Sequence, residues 1–139
     1  MHHIPKAVLD TNVILSSLWG GKPFQVIELW GKGAIAVVLS QEILDEYFAI
    51  FNRFDLTEED IEDLTILFSN PDRTIFIHPK RKINIIKSDP QDNKFLEAAA
   101  EAKADYIVSG DKHLLSIEHF EGIPVFNASR FLKVIKSVK

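Results

Sequence analysis

The sequence predicts an α/β protein, a three-layer α/β/α sandwich around a mainly parallel central sheet. Two observations carry that prediction. Short, apolar, β-branched runs alternate with amphipathic helical segments along the chain, and two of the runs deliver an aspartate at or just past their C-terminal ends. Ligands of such sheets gather at the carboxyl ends of the strands, so acids placed there are the first candidates for chemistry.

The elements follow in order. "KAVL" at 6–9 reads as a buried strand ending at Asp10, ahead of "TNVIL". "GGKP" at 20–23 is a turn, after which Phe24, Ile27 and Trp30 recur at helical spacing, with Pro23 near the first turn and Gly33 beyond the end. "AIAVVLS" at 34–40 is the second strand. Ser40 can cap the next helix, where Ile43, Leu44, Tyr47, Ile50 and Phe51 share one face. Thr57, followed by Glu58, Glu59 and Asp60, resembles an N-cap with an acidic first turn, and "NPD" at 70–72 closes that helix.

"TIFIH" at 74–78 and "INII" at 83–86 are ambiguous extended runs on either side of the basic loop "PKRK". "SDPQDNKFLEAAAEAKA" supplies cap residues and an alanine-rich helix with Phe95, Leu96 and Ala99 inward. "DYIVSG" is a strand, "DKHLLSI" a short helix and "IPVF" a strand. Asn127 or Ser129 then opens a terminal helix with Phe131, Val134, Ile135 and Val138 on one face. With no repeats, low-complexity tracts or linker, residues 1–139 read as a single domain.

A 46% hydrophobic share, 10% of the chain being aromatic, is enough for a packed core in 139 residues. Sixteen basic against twenty acidic residues leave a net charge of −4, which argues against a generic polyanion-coating surface. A nucleic-acid partner would need a local basic patch or a bridging cation. The absence of cysteine excludes disulfides, a thiol nucleophile and thiolate metal sites. No apolar run approaches the roughly 20 residues of a membrane span, and the first strand reaches Asp10 too soon for a signal peptide, so the expectation is a soluble cytoplasmic protein. His2 and His3, near the terminus, read as disordered and not as a metal site.

Asp10 and Asp111 follow separate strands and, in a parallel sheet, reach the same edge. Asp92 stands near the start of the alanine-rich helix, and Glu46 lies on the helix after the second strand. Each has a simpler reading. Asp89, Asp92 and Asp111 suit N-caps, and Glu42, Asp45 and Glu46 suit a solvated helix face. Only Asp10, between a buried run and Thr11-Asn12, resists being read as a cap. Taken together the acids say more. Carboxylates converging in one cleft repel unless a cation neutralises them or their pKa values rise. Carboxylate oxygen suits Mg²⁺ or Mn²⁺, and such sites often complete their ligand set with phosphate, which points to metal-dependent phosphoryl transfer.

"VLDTNVILSSL", "LSQEILDEYFAIF", "DPQDNKFLEAAAEAKADYIVSGDKHLL" and "IPVFNASRFL" together resemble the PIN domain family, in particular its VapC toxins of toxin–antitoxin systems. The resemblance spans nearly the whole chain. It implies an acidic metal site of Asp10, Glu46, Asp92 and Asp111 that is also the catalytic set. Asn12 and Ser109 would buttress the first and last aspartates, and Asp89 would cap or support. The implied activity is Mg²⁺- or Mn²⁺-dependent endoribonuclease action, with Lys94, Lys112 and His113 as candidate RNA contacts and "PKRK" as a basic or merely solubilising loop. The implied partners are a small antitoxin and a second copy of the chain, with Trp19, Trp30 and the aromatic helix after the second strand as candidate dimer contacts.

Two other metal sites fit less well. A receiver-like phospho-acceptor wants an acid pair at the first strand, and a haloacid-dehalogenase-like phosphatase wants Asp-x-Asp, where this chain has Asp10-Thr11-Asn12. The alternative from another class is a non-catalytic RNA-binding or protein-interaction module on the same fold.

Overall fold

The computed structural model describes residues 3–137, so His2 and Val138 lie outside the described residues. In chain order come β1 (Lys6–Leu9), α1 (Thr11–Ser16), a 3-10 turn (Ser17–Trp19), α2 (Gly21–Lys32), β2 (Ala36–Leu39), α3 (Gln41–Arg53), α4 (Glu58–Ser69) and β3 (Thr74–Phe76). A second 3-10 turn (Pro90–Asp92) leads into α5 (Asn93–Ala102), then β4 (Tyr106–Val108), α6 (Lys112–Leu115), β5 (His119–Phe120), β6 (Ile123–Phe126) and α7 (Ala128–Ser137).

The strands form one sheet in the order β3-β2-β1-β4-β6-β5, parallel throughout except for β5 against β6. The chain runs outward from β1 to β2 and β3, then returns to β4 on the other flank of β1. Right-handed crossovers running in opposite directions along a sheet fall on opposite faces, which produces the three layers. Accordingly α5 packs on β1, β2 and β4, whereas α7 packs on β4 and β6 and against α2.

The local signals explain most elements. Ser40 accepts from Ile43 N–H and Thr57 from Asp60 N–H, so both caps anticipated from sequence are made. Gly33, at φ 78°, closes α2 in the left-handed conformation that glycine adopts without strain. Trp30 is fully buried, and its indole N–H donates to the Arg73 carbonyl and the Thr74 hydroxyl. That burial removes Trp30 from any dimer surface. Trp19, by contrast, is 68% exposed and meets the exposed Phe54 edge-on.

"GGKP", read as a turn, instead opens α2 from Gly21 on, and three further segments lie beyond the sequence reading. "TNVIL" is helix α1, too short to display a 3.6-residue period. "INII" forms no strand: the N–H groups of Ile85 and Ile86 donate to Asn93 Oδ1, and that of Ile83 to Glu97 Oε2. The brief strand β5 went unread because its two residues carry no pattern. Among the described residues, no helix is long and apolar enough to cross a membrane.

Candidate active site

β1 and β4 are in register at Leu9 and Val108, so the residues following each strand come out side by side. This is also where the strand order reverses, the place where an open α/β sheet forms a crevice. Asp10 emerges from β1 and Ser109 to Asp111 from β4. α3 supplies Glu46, and the turn before α5 supplies Asp89 and Asp92.

Asp10 is 3% exposed and uses its two oxygens separately. Oδ1 accepts from Val13 N–H at 3.0 Å, making Asp10 the N-cap of α1 and correcting the expectation that it caps nothing. Oδ2 accepts from the Ser109 hydroxyl. Burial raises the Asp10 pKa above the usual range, and the bonds from Ser109, Val13 and Gly110 oppose that rise.

Ser109 is fully buried and touches both aspartates, because its Oγ also accepts from Asp111 N–H at 2.9 Å. Asp111 Oδ1 accepts from His113 N–H, capping α6. Neither Asp89 nor Asp92 makes a side-chain cap bond, which removes the simple cap reading for both. Asp92 is 8% exposed, and its Oδ2 is buried with no hydrogen-bond partner.

That environment sets the charge of the cleft. Burial first, then the Asp111 carboxylate beside it, then Asp89 and Asp10, push Asp92 up to about 8. The Asp111 pKa is lowered, chiefly by its hydrogen bond with Asp92 and further by the His113 N–H. Without a cation the pair therefore shares one proton at neutral pH.

Glu46 faces these acids from α3. It accepts from the Thr11 hydroxyl and pairs with Lys94 Nζ at 2.5 Å, the two side chains being 22% and 11% exposed. Lys94, anticipated as a phosphate contact, is thus a counter-ion within the site. Tyr47, the next residue on α3, donates from its buried hydroxyl to the Leu9 carbonyl at 2.5 Å and ties α3 to the end of β1.

A cleft of about 350 Å³ is lined by Asp10, Asn12, Glu46, Asp89, Asp92 and Asp111, so the four predicted acids share one opening. Asn12 is exposed at its rim; the hydroxyl that reaches Glu46 is that of its neighbour, Thr11. Asp89, Asp92, Asp111 and His113 each offer a ligand atom, and these atoms lie within 4.8 Å of one another. Asp10 and Glu46 line the cleft outside that tighter group. Crowded hard oxygens, one of them buried without a donor, fit a divalent cation.

Arg53 and Gln91 also line the cleft and were not singled out from sequence. Arg53 could have been found, since Glu46, Ile50 and Arg53 stand at i, i+4 and i+7 on α3. A wider groove of about 690 Å³ shares Glu46, Ile50, Arg53 and Gln91 with the cleft and continues past Lys82 and Asn84. Lys112 is exposed on α6. In the basic loop, Arg81 pairs with Glu121 through two bonds of 3.0 and 2.6 Å and Lys82 with Glu42 at 3.2 Å. Exposed pairs of this kind contribute little stability.

Comparison with known proteins agrees with this architecture. A search of the curated proteins gives no match. Among solved structures, the chain is similar to VapBC2 from Rickettsia felis, crystallised bound to a DNA fragment from its promoter. The TM-score is 0.60 at 15% identity, over 88% of this chain and 98% of that one, a likeness of fold. The family model described as PIN domain matches residues 6–113, from the start of β1 to His113 on α6. The chain belongs to the PIN domain family.

Proposed function

We propose that the protein is a divalent-metal-dependent endoribonuclease and the toxin of a toxin–antitoxin pair. The observation that carries this reading is the shared cleft, in which Asp10, Glu46, Asp92 and Asp111 converge and Asp92 keeps a buried oxygen without a donor. These four acids are the proposed holders of Mg²⁺ or Mn²⁺. When bound, such an ion supplies neutralising charge for the phosphate and acidifies water in its coordination shell.

The chain's own residues do the rest. Ser109 and the α1 backbone fix the direction of Asp10, Ser109 and the α6 backbone fix Asp111, and Thr11 with Lys94 fixes Glu46. In hydrolysis the water oxygen bonds to phosphorus, the bond from phosphorus to the 3′ oxygen breaks, and a cleft carboxylate accepts the water's proton. A proton returned to the leaving oxygen completes the balance. The products are a 5′-phosphate and a 3′-hydroxyl, because a water nucleophile does not require the 2′-hydroxyl. Arg53 at the cleft and the exposed Lys112 are suited to holding the RNA backbone without reading its sequence.

The resemblance to VapC toxins and the fold likeness to a chain of VapBC2 support a small antitoxin as partner. The exposed Trp19 and Phe54 support a surface for a second copy. The cysteine-free composition suits a cytoplasmic setting.

The test is incubation of a mixed RNA pool with the purified protein and Mn²⁺, with and without chelator, alongside Asp10→Asn and Asp111→Asn. Cleavage should require the cation and fall at least about 100-fold in either variant. Equal cleavage by the variants would reject the site. A wild type that binds RNA without cutting it would favour the non-catalytic module.

A further inference from the structure

We propose that His113 is a metal ligand, its Nδ1 joining Asp89, Asp92 and Asp111, and that this nitrogen makes the site prefer Mn²⁺ to Mg²⁺. The inference rests on the metal-dependent reading above and adds Asp89 and His113 to that site. Three observations carry it. The ligand atoms of these four residues lie within 4.8 Å of one another, close to the about 4.2 Å that separates opposite ligands of a small octahedral cation. His113 Nδ1 is buried and makes no hydrogen bond, and its nearest acidic oxygen, Asp111 Oδ1, stands 3.6 Å away, too far for one. Asp92, itself 8% exposed, directs an equally unpartnered Oδ2 into the same group.

One buried oxygen and one buried nitrogen thus face the same group without a hydrogen-bond partner of their own. Both are accounted for by a single cation between them. The backbone supports the arrangement: His113 N–H is held by Asp111 Oδ1 at 2.9 Å, which fixes the ring's residue against the carboxylate it accompanies. His113 is not among the residues lining the cleft, and its side chain, 39% exposed, meets the group from α6.

The chemical consequence is selectivity. Mg²⁺ takes oxygen ligands almost exclusively, whereas imidazole binds first-row transition ions readily. An imidazole among the carboxylates therefore favours Mn²⁺ over Mg²⁺, where an all-carboxylate site would accept either ion. Lys94 does not compete for this position, because it is committed to Glu46.

The experiment is a Mn²⁺ titration of the full chain by electron paramagnetic resonance, with Mg²⁺ competition and a pulsed measurement of nitrogen coupling to bound Mn²⁺. It is run on wild type, His113→Gln and ¹⁵N-histidine-labelled protein. The expected result is a directly bonded nitrogen whose signal changes isotope on labelling and disappears in His113→Gln, with Mn²⁺ affinity about tenfold weaker. Mg²⁺ affinity should change much less, so the Mn²⁺ preference collapses. Bound Mn²⁺ without histidine coupling, or an unchanged Mn²⁺ preference in His113→Gln, would overturn the inference and leave the carboxylate site standing. A wild type that binds no Mn²⁺ would overturn both this inference and the metal-dependent reading.

Discussion

Asp10 serves two purposes because a carboxylate has two oxygens. Oδ1 starts α1 and Oδ2 meets Ser109, so the residue that ends a strand also begins a helix and faces the cleft. Ser109 joins this arrangement to Asp111, and its removal would leave Asp10 Oδ2 and Asp111 N–H without their partner. Ser109→Ala should cost about 1–3 kcal/mol, read by urea unfolding in chelator, while Ser109→Thr keeps the hydroxyl and loses less. An alanine variant as stable as wild type would show that solvent replaces the hydroxyl. Lys94 makes a second residue-scale prediction. Lys94→Met strips Glu46 of its counter-ion and should destabilise the chelated protein by about 1–3 kcal/mol. Mn²⁺ should narrow that deficit, and an equal deficit with and without Mn²⁺ would mean that Glu46 is not near the bound ion. Asp10 and Asp111 stood out in the sequence at strand ends, whereas Glu46 and Asp92 were set apart from their neighbouring acids by the resemblance to the PIN family. The Glu46–Lys94 pair did not stand out, since its members lie 48 positions apart on different helices.

At the scale of elements, the segment between β3 and the turn at Pro90 shows how side chains can stand in for a sheet edge. Asn93 accepts from Ile85 and Ile86 N–H and donates to the carbonyls of Ile86 and Pro90, and Glu97 takes Ile83 N–H. The loop is thereby laid along α5, beside the groove that leads to the acids. "INII" has strand chemistry, but its hydrogen-bond partners lie on a helix up to 14 residues further on, which short-range pattern cannot reveal. The longer elements were legible because their caps and apolar faces agree with one another; α1 and β5 were too short for any period. Asn93→Ala should cost at least about 2 kcal/mol by leaving buried backbone groups unpaired. It should also expose Lys80, Arg81, Lys82 and Lys87 to trypsin before global unfolding. Uniform resistance to trypsin in the variant would mean that apolar packing of Ile83 and Ile86 holds the loop without Asn93.

The whole molecule concentrates negative charge at one end of a fold whose net charge is only −4, and that placement couples stability to pH. Asp92 is raised from the ordinary 3.8 to about 8 in the folded chain, chiefly by burial, and Asp10 is raised as well. In the unfolded chain both are ordinary carboxyls. Between those two values, 3.8 and about 8, the folded state binds more protons than the unfolded one, so stability is fully present at the low end and is lost as pH rises. Asp111, whose pKa is lowered, acts in the opposite sense only below its ordinary value of 3.8 and does not cancel the trend at higher pH. The melting temperature of chelated protein should therefore fall as pH climbs through this window, and Asp92→Asn, which needs no proton to be neutral, should flatten the slope. Saturating Mn²⁺ should flatten it too, because a cation neutralises the same oxygens that the proton neutralises at low pH. A melting temperature that is level or rising across the window in chelator would show that the cleft relieves its charge by opening to water, and the closed arrangement of Asp10, Asp92 and Asp111 would then not be the metal-free state.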